Sequence, residues 1–133
     1  MKNLYLLLVF GLLLSSCVDP CESTTCLNGG ICENGDCFCI DGFAGDNCEI
    51  PPCQVNQTGI LCVKNSSATD QDHDVLIDGV KVATLSPGEE HCKTVLVGEH
   101  SVRSYFAGTM NPACGEANPT IIQCGVEGIE CGA

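Results

Sequence analysis

The chain has 133 residues, thirteen of them cysteine, and its net charge of −12 stands against only five basic side chains. A surface this acidic repels phosphate backbones, which excludes nucleic acid as a partner. Cysteine at this density belongs to a disulfide scaffold in an oxidising compartment rather than to a cytosolic zinc protein.

The chain begins with Lys2 and an apolar run from Leu4 to Leu14. The run is too short for a bilayer-spanning helix, which takes about 20 residues, and it fits the apolar region of a secretory signal. It ends in Leu14-Ser15-Ser16-Cys17. These four residues resemble the lipobox of bacterial lipoproteins, and the resemblance implies a signal peptide over 1–16, a lipidated Cys17 and an anchored N-terminus over 17–20. Val18 rather than Asp after the anchor is compatible, in that family, with outer-membrane delivery. An ordinary signal cleavage after Cys17 is the competing reading. Either way Cys17 leaves the disulfide pool, and an even twelve cysteines remain.

The next six cysteines lie in CESTTCLNGGICENGDCFCIDGFAGDNC, residues 21–48, with gaps of four, five, four, one and eight residues. A segment this short cannot bury a core, so cross-links replace one. Asn34-Gly35 favours a type I′ turn and predicts a two-stranded hairpin inside the third gap. The six-cysteine pattern, CLNGGIC and the ending CFCIDGFAGDNC resemble an epidermal growth factor-like domain with tenascin-type spacing. That resemblance implies the pairs Cys21–Cys32, Cys26–Cys37 and Cys39–Cys48. It implies neither calcium binding nor receptor agonism here. Only Asp19 precedes the first cysteine, and Asn47 stands where agonists carry Arg. Residues 21–48 hold five acidic residues and no basic one, as suits a solvated spacer or a docking surface.

Glu49 to Pro52 reads as a stiff Pro-rich linker over 49–52. From 53 to 133 the pattern is of short β-branched runs between turn residues: GILCVKN, DVLI, VKVATL, CKTVLV, SVRSYF and PTIIQC. Asp78-Gly79 predicts a second tight hairpin. Without sustained helical periodicity this half is expected to be all β, a small antiparallel β-sandwich of six or seven strands. The stretch from Val75 to Thr109 is similar to PEGA-like and immunoglobulin-like domains of bacterial surface proteins. Cys53, Cys62, Cys92, Cys114, Cys124 and Cys131 form an even set and predict three more disulfides, with the pairing open. The fold class is therefore small, disulfide-rich and mainly β.

Asp70, Asp72 and Asp74 have the alternating spacing of a calcium loop, but Val75 stands at the sharp-turn position and Lys81 at the bidentate-Glu position, so they make only a weak calcium candidate. His73, His91 and His100 show no ligand spacing and read as surface residues. A disulfide-bonded Cys92 beside His91 offers no thiolate. No catalytic constellation or cofactor motif is present, so the chain is expected to be no enzyme. Asn56 and Asn65 head formal glycosylation sequons, which matter in a eukaryotic host. Together these readings predict a surface-exposed outer-membrane lipoprotein, attached to the membrane by lipid and binding a protein or glycan ligand. The alternatives are a soluble eukaryotic matrix-like adhesion protein and a disulfide-rich inhibitor.

Overall fold

A computed structural model of the chain describes residues 19–132. The leader and Cys17 lie outside the described residues. The chain divides into two compact units, Met1–Ile50 and Pro51–Ala133.

In the first unit, β1 (Ile31–Glu33) and β2 (Asp36–Phe38) form an antiparallel hairpin. Asn34 and Gly35 both take positive φ, 54° and 96°, as a type I′ turn requires. Disulfides join Cys21 to Cys32, Cys26 to Cys37 and Cys39 to Cys48, the pairs that the family resemblance implies. Among the described residues of this unit Cys48 is the one buried hydrophobic residue, and cross-links stand where a core would be. Gly30 shows how tightly they pack, since a Cβ there would lie 2.7 Å from the Cys48 sulfur.

The segment 49–52 spans the boundary between the two units. Ile50 exchanges backbone hydrogen bonds with Ala44, both at 2.9 Å, which ties it to the first unit. Pro51 is instead the N-cap of a one-turn helix, α1 (Pro52–Val55). Proline fits at the first helical position because its missing N–H would have no intrahelical partner there.

The second unit adds eight strands: β3 (Thr58–Asn65), β4 (His73–Ile77), β5 (Val80–Leu85), β6 (Glu90–Leu96), β7 (Gly98–Glu99), β8 (Val102–Phe106), β9 (Thr120–Ile121) and β10 (Val126–Cys131). They form two three-stranded sheets, β10–β3–β6 and β5–β4–β8, and a short β7–β9 pair. One pairing departs from the antiparallel expectation: β10 runs parallel to β3. Its sequence VEGIEC lacks the β-branched density that marks the other strands, and its pairing spans the whole unit.

Alternation along each strand builds the core. Leu61 and Val63 from β3, Val75 and Ile77 from β4, Leu85 from β5, Val102 from β8 and Ile121 from β9 form one buried cluster. A register shift between Val75 and Leu76 leaves Val82 as an extra residue of β5. Both Val82 and Ala83 consequently pack against the core, as a bulge permits. Disulfides link Cys53 to Cys124, Cys62 to Cys92 and Cys114 to Cys131.

Gly59 on β3 is buried where β9 crosses it. A Cβ there would lie 2.5 Å from Ile121 Cγ2 and 2.6 Å from the Ile122 carbonyl oxygen. Gly59→Ala is therefore expected to lower stability by roughly 1–3 kcal/mol, the usual cost of overpacking. An unchanged denaturation midpoint would refute that close approach.

Candidate binding surfaces

The two three-stranded sheets present outer faces of opposite character. On β5–β4–β8 the outward residues of β4 are Asp74 and Leu76, flanked in register by Thr84 and Lys81 on one side and by Tyr105 and Arg103 on the other. Here the charges are satisfied internally. Lys81 Nζ lies 2.7 Å from Asp74 Oδ1, and the Thr84 hydroxyl donates to the same oxygen at 2.7 Å. The Gly108 N–H donates to Asp74 Oδ2. These bonds, Lys81 first, hold the Asp74 carboxyl down at about 2. Arg103 pairs with Glu116 at 3.0 Å.

The outer face of β10–β3–β6 is built differently. In register, Val126 lies beside Ile60 and Ile60 beside Thr94; Gly128 lies beside Cys62 and Cys62 beside Cys92, its disulfide partner; Glu130 lies beside Lys64 and Lys64 beside Glu90. Leu96 continues the β6 row. Leu96 is 65% exposed and Val126 67%. A shallow cavity of 180 Å³ lined by Cys53, Thr58, Ile60, Thr94 and Cys124 opens beside Ile60. Apolar side chains, small residues and a disulfide thus make up most of this face, with charge confined to one end.

A second exposed apolar pair lies on the first unit. Ile31 and Phe38 face each other across the β1–β2 hairpin and are 55% and 63% exposed. Two residues nearer the turn, on the same side of the hairpin, Glu33 faces Asp36. Beside β2 lies an open groove of 710 Å³ lined by Thr24, Thr25, Asp36, Asp46 and Asn47 among others.

Asp70, Asp72 and Asp74 do not converge. Asp74 belongs to β4 and is committed to Lys81, Thr84 and Gly108, while Asp70 and Asp72 lie in the loop before that strand. Among the described residues the one set of three potential ligands whose donor atoms lie within 4.8 Å of one another is Cys62, Glu90 and Cys92, and its two sulfurs are joined in a disulfide.

The histidines are not all surface residues. His73 begins β4 one residue before the predicted run and shares the inner face with Val75 and Ile77, so it is buried at 1% exposure. The alternation H-x-V-x-I carried that signal. Its ring meets Phe106 edge-on, with centroids 5.5 Å apart. Neither ring nitrogen, nor the buried Ser104 Oγ on the facing strand, has a hydrogen-bond partner among the described residues. Burial pushes the His73 imidazole below its usual range, against a smaller upward pull from Asp72. His100 Nδ1 lies 2.6 Å from Asp78 Oδ2, and its Nε2 lies 2.8 Å from the Leu96 carbonyl oxygen. These contacts, Asp78 first, raise its affinity for a proton.

Of the two sequons, Asn65 is buried. Its Nδ2 donates to the Gln71 and Leu85 carbonyls, and its Oδ1 accepts from the Ser67 N–H. A glycan on Nδ2 is incompatible with this packing. Asn56, the C-cap of α1, is exposed. No helix among the described residues is long and apolar enough to cross a membrane. Neither a protein-family model nor a solved structure matches the chain.

Proposed function

We propose that this is a lipid-anchored protein of a bacterial outer surface that acts as a non-catalytic binding module. In this reading Cys17 carries the lipid, the first unit is an epidermal growth factor-like module of tenascin type, and the second is a small β-sandwich akin to PEGA-like domains. The observation that carries the binding role is the contrast between the two outer sheet faces. One pairs its own charges; the other leaves Ile60, Leu96 and Val126 without cover. An apolar strip with charge at its rim is the anatomy of a protein-contact surface, so the partner of this face is taken to be a protein.

The anchor is tested by the mass of the mature N-terminal peptide from the native host. A peptide beginning at Cys17 with glyceride-linked acyl chains is expected, and Cys17→Ser should move the protein from the membrane to the soluble fraction. Several chains, at about 0.8 kcal/mol per buried methylene, make that partition close to complete. A free N-terminus at Val18 would overturn the lipoprotein reading in favour of a soluble secreted module, for which Asn56 is the accessible glycan acceptor.

A further inference from the structure

The outer face of the β1–β2 hairpin combines two features that seldom share so small a surface. Ile31 and Phe38 form an exposed cross-strand apolar pair, and Glu33 and Asp36 form a cross-strand pair of like charge in the next same-face row. Like charges placed directly opposite each other destabilise a hairpin. Among residues 19–50 there is no Lys, Arg or His to relieve them, while seven Asp and Glu are present. Asp36 also lines the 710 Å³ groove, together with Asp46, Thr24 and Thr25. The apolar row and the acidic row are two residues apart along each strand, a rise of about 6.7 Å. That is also the distance between side chains i and i+2 of an extended chain laid along the hairpin.

We infer that this face docks an extended protein segment bearing an apolar and a basic side chain two positions apart, in an apolar–x–basic arrangement. The apolar side chain covers Phe38 and Ile31. The Lys or Arg lies between Glu33 and Asp36, near the mouth of the groove, and removes the like-charge repulsion. The inference rests on the binding-module reading and supplies the chemistry of one partner. Apolar cover gives most of the affinity, and the carboxylates give the selection against acidic segments.

The test uses the full mature chain, isotope-labelled, titrated with a short synthetic peptide repeating Leu-Ser-Lys-Ser and with two control peptides, one with Glu in place of Lys and one with Ser in place of Leu. Amide shifts are expected at residues 31–38 with the first peptide only. Phe38→Ser should weaken binding roughly tenfold or more. Glu33→Gln with Asp36→Asn should weaken it several-fold and remove most of its salt dependence. All three positions are exposed, and retained shifts around the Ala44–Ile50 bridge verify the fold of each variant. Equal binding of the Glu peptide overturns the inference, as does the absence of any shift. Shifts confined to the Ile60–Leu96–Val126 face overturn it too, while leaving the module reading in place. The lipid anchor stands or falls separately, on the mass of the N-terminal peptide.

Discussion

Replacing both Cys53 and Cys124 by serine is expected to cost about 4 kcal/mol of stability, the largest effect of any change that leaves the core side chains intact. The disulfide spans 71 residues of the second unit. Chain-entropy cost grows with the logarithm of the loop it closes, so the Cys62–Cys92 bond nested inside shortens that loop with little effect on the figure. The bond also sits where it matters topologically. Cys124 follows β9 and precedes β10, the strand that closes the sheet in parallel with β3. Around it the Cys124 N–H donates to the Thr58 carbonyl at 2.8 Å, and the Ile60 N–H donates to the Gly125 carbonyl at 2.8 Å. In a unit of this size a loss of about 4 kcal/mol lowers the melting temperature by roughly 15–30 °C. Amide exchange should accelerate first in β10. A double variant that melts within a few degrees of the parent would show that the parallel strand holds without its staple.

Acidification below about pH 6.5 is expected to destabilise the protein through His73. In the unfolded chain this imidazole takes a proton near 6.5. In the folded chain it stays neutral to lower pH, because burial disfavours the cation. The folded state then binds fewer protons than the unfolded one. Stability falls as pH drops from about 6.5 toward the lowered folded value, with a slope of up to about 1.4 kcal/mol per pH unit. The groups packed on the ring are Phe106 and, in register across β5, Leu85; neither ionises, and Asp72 is the one charge that favours the proton.

His100 works in the opposite sense. Its raised value makes the Asp78 pair fully stabilising below about 6.5, and that contribution is lost as pH rises through the folded value. Asp74 and Asp78, both lowered, contribute above their unfolded values and lose that contribution as pH falls through their folded ones. Between about pH 5 and 6.5 the slope therefore reports mainly on His73. Urea denaturation across this range should give a steep line for the parent and a flatter one for His73→Leu. Parallel lines would mean that His73 is not the group responsible.

Local chemistry was legible without a structure. Asn34-Gly35 and Asp78-Gly79 announce hairpins because few other dipeptides accept positive φ twice in a row. VKVATL is the full extent of β5, and alternation in SVRSYF places Val102 and Ser104 inward. Each of these rests on neighbours along the chain. A strand beginning at Asp74 leaves His73 at the surface, whereas β4 extends one residue further and buries it by the same alternation.

Sequence alone thus determined an even set of twelve cysteines from Cys21 onward, two tight hairpins and a mainly β chain. These depend on residue type, spacing and backbone preference within a few positions. Only the tertiary structure decided the Cys53–Cys124, Cys62–Cys92 and Cys114–Cys131 pairing, the parallel course of β10, the burial of Asn65 and the apolar character of one outer sheet face. All four depend on which distant strands meet. Which strands meet is settled by burying Leu61, Val63, Val75, Ile77, Leu85, Val102 and Ile121 together, a collective property that no local stretch of the chain encodes.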